Sequence, residues 1–134
     1  MTEEEFLALP VGEQNALTAP HCGYVLTADP YGGRWVGHGK SVAPDDFALV
    51  NGDGNAFFGM WDALPREGDH NGDYKWRLCE SSFEGMVFYS VERETECEYC
   101  PDCGDMMWWA GGDAPTPNLA AALALLKARG VIEG

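Results

Sequence analysis

Cys97, Cys100 and Cys103 are each separated from the next by two residues in the run Cys97-Glu98-Tyr99-Cys100-Pro101-Asp102-Cys103-Gly104. Sulfurs at that spacing meet at one point only if the chain turns tightly, and the usual focus of such a turn is a metal ion with bonds of about 2.3 Å to each sulfur. The chain holds 5 cysteines, an odd number, and Met1 to Glu5 carries three glutamates with no basic leader segment. A disulfide framework is therefore not expected, and a cytoplasmic location is. In such a setting the spacing predicts a metal site rather than a cross-link.

The piece Cys100-Pro101-Asp102-Cys103-Gly104 resembles a zinc knuckle of the zinc-ribbon type. Its glycine permits the turn, and backbone amides aimed at the sulfurs offset thiolate charge. The expectation is a structural zinc ion held by Cys97, Cys100 and Cys103 in a loop around 97–104. Ala19-Pro20-His21-Cys22-Gly23 matches the knuckle at proline, second cysteine and glycine, with alanine at the first cysteine position. Cys22, His21 and Cys79 thus all stand open as the fourth ligand. An iron–sulfur signature begins with the same spacing, but its later cysteine followed by proline is missing. A redox dithiol is opposed by the surrounding Glu92, Glu94, Glu96, Glu98, Asp102 and Asp105, whose charges raise thiol pKa values. Three cysteines also make a closed shell with no open water position, which favours a structural over a catalytic metal.

Charge bounds the partners. The chain has 22 acidic and 8 basic side chains over 134 residues, a formal net charge of −14. That balance opposes direct contact with a nucleic-acid backbone or an anionic membrane and favours a basic protein surface, including the nucleic-acid groove of another protein. No apolar run approaches the roughly 20 residues that a membrane span needs. Glu92, Glu94, Glu96, Glu98, Asp102, Asp105 and an exposed Trp108 are the residues expected to meet such a partner. Acidity that serves only solubility is the plainer alternative.

Turn and cap signals divide the chain into short elements of one domain, residues 1–134. Thr2 with Glu5 reads as a capping box for a helix stopped by Pro10, and a second helical piece is expected from Glu13 to Ala19. Tyr24–Thr27 and Arg34–Val36 read as strands. Pro44 with Asp45 and Asp46 looks like a helix start. Asn55 is placed to cap a helix whose Phe57, Phe58, Trp61 and Leu64 share one face. From Tyr74 to Val91 the period changes to two, which predicts an antiparallel hairpin turning near Ser81 to Gly85, and Asp105–Trp109 reads as a further strand. Thr116, Pro117 and Gly130 bound a last helix with Leu119, Ala122, Leu123 and Leu126 as its apolar stripe. These elements predict an α+β fold: one antiparallel sheet of about four or five strands, the C-terminal helix packed on it, short N-terminal helices, and the zinc-stabilised loop. Asn51 to Asn55 has the outline of a calcium loop, yet it lacks the first Asp, the sixth-position glycine and the closing Glu, and reads as a turn. His38 and His70 lie in glycine-rich loops with no nucleophile motif.

The segments Phe6-Leu7-Ala8-Leu9-Pro10-Val11-Gly12 with Ala16, Leu17 and Ala19, and Asp113-Ala114-Pro115-Thr116-Pro117-Asn118-Leu119-Ala120 with Leu123 and Leu126, resemble the two ends of small phage proteins of the phage ABA sandwich type. The Ala56–Leu64 helix followed by the Tyr74–Val91 hairpin is similar as well. The resemblance implies a layered helix–sheet–helix fold and a phage or prophage origin, with no activity attached. With the charge, it leads to the expectation of a non-enzymatic inhibitor of a host nucleic-acid-handling defence complex, of the anti-CRISPR or anti-restriction kind. A small metal- or thiol-dependent enzyme using the cysteines is the alternative.

Overall fold

The computed structural model describes residues 1–28, 32–65, 74–95, 106–108 and 114–133, with the backbone alone at 74–75, 93–95 and 106–108. Its helix ends follow the local signals closely. In α1 (Glu3–Ala8) the Thr2 hydroxyl accepts from the Glu5 amide while the Glu5 carboxylate accepts from the Thr2 amide, a reciprocal capping box. Helix α2 (Val11–Thr18) starts directly after Pro10 rather than at Glu13, because proline's fixed φ of −56° suits a helix entry. A 3-10 turn over Ala19–Cys22 follows and ends at Gly23, whose φ of +85° is open to glycine at little cost.

The core is built on α4 (Pro117–Ala128). Thr116 caps it through Leu119, and Gly130 at φ +76° ends it while the Val131 amide donates to the Leu126 carbonyl at 2.9 Å. Every residue from Ala120 to Leu126 is buried, so the expected single stripe is too narrow. A helix that is apolar on all sides must be covered on all sides, and α3 (Gly54–Ala63) and strand β5 (Met86–Thr95) pack against it.

Helix α3 (Gly54–Ala63) is capped by Asp53, not by Asn55: the Asp53 Oδ1 accepts from the Asn55 and Ala56 amides at 3.0 and 3.2 Å. Starting from this cap, Met60 and Leu64 turn into the core, Phe57 and Trp61 are half-buried, and Phe58 is 62% exposed. Pro44 to Asp46 forms a turn and not a helix, since no apolar helical period follows it.

Strands β1 (Val25–Thr27), β2 (Arg34–Gly37) and β3 (Lys40–Val42) form an antiparallel meander. The β2–β3 link is His38-Gly39, with φ of +53° and +75°, a turn whose twist matches that of paired strands. Strands β4 (Tyr74–Phe83) and β5 (Met86–Thr95) form a long hairpin across Glu84-Gly85, and β6 (Met106–Trp108) pairs with the far end of β5. The chain is α+β with a C-terminal helix and short N-terminal helices. Its described strands, however, fall into two sheets of three rather than one sheet of four or five. Helix α3 lies between the two sets in the chain and packs on α4, so the meander and the hairpin are not joined edge to edge. No described helix is long and apolar enough to cross a membrane.

Two buried asparagines connect these parts. Residues 47–53 enter the interior without a strand or helix ladder, with Phe47, Leu49 and Val50 buried. Asn15 of α2 donates to the Phe47 carbonyl and to Asn51 Oδ1, both at 3.1 Å, and its own Oδ1 accepts from the Leu49 and Val50 amides at 3.0 and 2.9 Å. Asn118 of α4 donates to the carbonyls of Leu49, Gly52 and Asp53 at 3.0–3.1 Å. Replacing Asn15 by Ala leaves two buried amides and a carbonyl unpaired, each costing about 1–3 kcal/mol. Urea unfolding is expected to show a loss of about 3 kcal/mol for Asn15→Ala and less than about 0.5 kcal/mol for the exposed Asn55→Ala. A loss below about 1 kcal/mol for Asn15→Ala would mean that water replaces the amide and that it does not hold the segment.

Candidate functional site

Cys97, Cys100 and Cys103 lie outside the described residues, as do Glu96, Glu98, Asp102, Asp105 and His70. What surrounds their segment is described. Thr95 of β5 and Met106 of β6, the described residues on either side of that segment, are register partners.

The three residues considered for a fourth ligand stand in different places. Cys22 is buried in the core at the end of the 3-10 turn, and burial pushes its thiol from 9.0 up to about 11. Its carbonyl accepts from His38 Nε2 at 2.6 Å, with the His38 ring edge-on to Tyr24. Cys79 sits on β4 opposite Ser90, five positions along β5 from Thr95, or about 17 Å at the rise of an extended strand. His21 is half-buried in the 3-10 turn. Among the described residues no group of three or more His, Cys, Asp or Glu side chains is arranged to hold a metal.

Of the acidic residues expected at a partner surface, Glu92 does not present its carboxylate to solvent. It is 6% exposed, and its Oε2 accepts from Arg77 Nε and Nη2 at 3.2 and 3.1 Å and from the Cys79 thiol at 3.3 Å. Strand register explains this: Arg77 is directly opposite Glu92, and Cys79 follows on the same face. The guanidinium meets this carboxylate through both hydrogen bonds, a charge-assisted pair. Cys79 is raised above the usual thiol range, first by burial and then by the hydrogen bond and charge of Glu92, with Arg77 opposing. Glu94 on β5 lies in register with Lys75 and Met107, and Trp108 on β6 with Arg93.

A second feature was not foreseen in the sequence. Between β3, the 46–53 segment and the start of α3 lies a cleft of about 360 Å³. Its apolar wall includes Tyr24 and Phe47, whose rings meet edge to face at 5.0 Å, and Phe47 in turn stacks on Trp35 at 5.4 Å. Asp46, Asp53, Asn51 and Lys40 supply its polar groups. Asn15 and Asn118 brace this wall from behind, so the cleft is formed in advance of any ligand. The sequence signal that could have found it is polar: Asn118 stands at the start of a helix that otherwise buries alanines and leucines, and Asn15 lies with Gln14 and Thr18 in a helix whose buried residues are polar.

Comparison with the models of protein families, with curated proteins and with solved structures finds no match to this chain.

Two measurements follow from the thiols. Cys22 holds its proton more tightly when folded, so the stability it adds is complete below pH 9 and is lost as pH rises through about 11. Between those values the wild-type chain is expected to lose about 3 kcal/mol more than a Cys22→Ala variant, read by denaturant unfolding at each pH. Parallel pH slopes in the two proteins would contradict the burial of this thiol. For Cys79, peptide-resolved alkylation with iodoacetamide at pH 8 is expected to be slower than for a free cysteine. Glu92→Gln should speed it, because a neutral amide no longer repels the thiolate; an unchanged or lower rate would show that the carboxylate does not control the thiol.

Proposed function

We propose that this chain is a non-enzymatic binding protein that engages the basic, nucleic-acid-handling groove of a protein complex, of the anti-CRISPR or anti-restriction kind. A structural zinc ion held by Cys97, Cys100 and Cys103 would pin the 96–105 segment. The observation that carries the binding reading is the net charge of −14, together with the way the described cationic side chains other than Lys40 are occupied. Arg77 pairs with Glu92, Lys127 pairs with Glu3, Arg34 bonds Ser41 and Arg129 bonds the Ala63 carbonyl. Glu4, Glu13, Asp45, Asp46, Glu80, Glu84 and Glu133 remain exposed on several elements. A surface of that kind attracts cationic partners over a distance set by the ionic strength. The likeness of the chain's ends and central helix–hairpin to phage proteins supports a host defence complex as the target.

The residues around the metal segment fit the zinc reading in one respect. The flanking residues, Thr95 and Met106, are paired in the sheet, which lowers the entropy that metal binding must overcome. Zinc there would contribute folding free energy and no chemistry.

The test is target-DNA binding by purified CRISPR surveillance and restriction complexes with the chain added at increasing ratio. Inhibition of at least one complex, complete near one equivalent and relieved when salt rises from 50 to 300 mM, is the expected result (about tenfold or more in apparent affinity). A tight complex with DNA alone, or no inhibition of any complex, overturns the reading. Protein prepared without chelator should carry about one zinc, and Cys100→Ser should lose the metal and cooperative unfolding together. Less than about half an equivalent of zinc would remove the metal from the proposal.

A further inference from the structure

We propose that the cleft between β3, the 46–53 segment and the start of α3 receives an arginine side chain from a basic protein partner. The proposal deepens the binding reading and rests on it in taking the partner to be a basic protein.

The cleft's size comes first. A volume of about 360 Å³ falls in the range of small-ligand sites and is ample for one long side chain. Its chemistry comes next. Tyr24 and the largely buried Phe47, packed edge to face, are aromatic residues of the lining, and Asp46 and Asp53 are its acidic groups. A guanidinium suits both, because it is planar, weakly hydrated, compatible with an aromatic surface and able to bond a carboxylate through two N–H groups. An ammonium would meet the carboxylates but is more strongly hydrated and gains less from the rings.

An anion is the competing occupant, because the cleft also holds Lys40 and the N-terminal end of α3. The helix end is already engaged. Asp53 Oδ1 accepts from the Asn55 and Ala56 amides, so the donors an anion would use there have a carboxylate on them. That leaves Lys40 against Asp46 and Asp53, in the field of a chain at −14, and the balance favours a cation. Preorganisation adds to this. Asn51 is held through its Oδ1 by Asn15, and the Gly52 and Asp53 carbonyls by Asn118, so little of the wall needs ordering on binding. Lys40 makes no ion pair among the described residues and repels an arriving cation. Its charge is therefore a brake on affinity and a handle for the test.

The experiment is a ¹⁵N-amide NMR titration of the full chain with N-acetyl-arginine methylamide at about 20 mM salt. N-acetyl-citrulline methylamide, the neutral isostere, and inorganic phosphate are the comparisons. Saturable shifts concentrated at Gly52, Asn55, Ala56 and the Asn51 side-chain amide are expected with arginine and not with citrulline. Asp46→Asn and Asp53→Asn should each weaken binding about three- to fivefold, and Lys40→Met should tighten it by a similar factor. Asparagine is itself a good helix cap, so Asp53→Asn keeps α3, and the amide spectrum of each variant reports its fold. No saturable shift, an equal response to citrulline, affinities indifferent to all three substitutions, or saturation by phosphate instead would each overturn the assignment. None of these outcomes involves the partner complex. Inhibition of DNA binding that persists when the arginine titration fails would leave the wider reading standing and remove the cleft from it.

Discussion

The interior of this protein depends on two side-chain amides. The 47–53 segment passes through the core as irregular backbone, where unpaired N–H and C=O groups cost as much as lost hydrogen bonds. Asn15 supplies two donors and accepts twice, and Asn118 donates to three carbonyls, so helices at opposite ends of the chain pair one buried loop. Other features rest on this arrangement. Asp53 is held through its carbonyl by Asn118 while its side chain caps α3. Phe47 is held through its carbonyl by Asn15 while its ring stacks on Trp35 of β2. The same two contacts therefore set where α3 begins and where the meander docks.

Around that loop the packing is simple. Ala120, Ala121, Ala122 and Ala124 are fully buried in α4, and small side chains let α3 and β5 come close to its axis. Val91 and the half-buried Tyr89 and Trp76 belong to the core cluster, and the Tyr89–Ala114 bridge fixes β5 just ahead of the helix. The far end of the hairpin has no such cover: Phe83 is 71% and Met86 59% exposed. Glu92 sits on the opposite face of β5 from Val91, buried with Arg77 across from it. Such a pair adds modest net stability, but removing the arginine alone would leave a buried charge without its partner.

Much of the secondary structure was legible because its signals are local. The Thr2–Glu5 capping box, the Thr116-Pro117 start and Gly130 end of α4, and the alternation from Tyr74 to Val91 each depend on a few neighbouring residues. Strand β3 was not legible: Lys40-Ser41-Val42 is too short to show a period, and His38-Gly39 lacks the usual Asn-Gly or Asp-Gly of such turns. Pro44-Asp45-Asp46 misled because the same residues begin helices and tight turns. The burial of Glu92 was hidden as well, since in sequence it is one of an acidic series. Only strand register shows that it faces Arg77 and not solvent. The cleft was the least visible, because it is assembled from Tyr24, Lys40, Asp46 and Asp53, which meet only after Asn15 and Asn118 have placed the loop.

The charge and the fold pull against each other, and the contrast bears on function. A chain at −14 repels itself when compact, and the described ion pairs, Arg77–Glu92 and Lys127–Glu3, offset little of that. Among the described residues, stability comes chiefly from α4, the apolar residues around it and the amide-braced loop, which do not rest on charge pairing. Among the described residues, exposed carboxylates such as Glu4, Glu13, Asp45 and Glu84 hold no helix cap or ion pair, unlike Glu5 and Asp53, which cap helices. A partner bringing cations would relieve the repulsion while it made its own contacts, so binding and folding would reinforce each other most strongly at low ionic strength. This division, with apolar and amide-braced packing inside and uncompensated charge outside, lets one small domain hold a strongly acidic surface in a fixed shape.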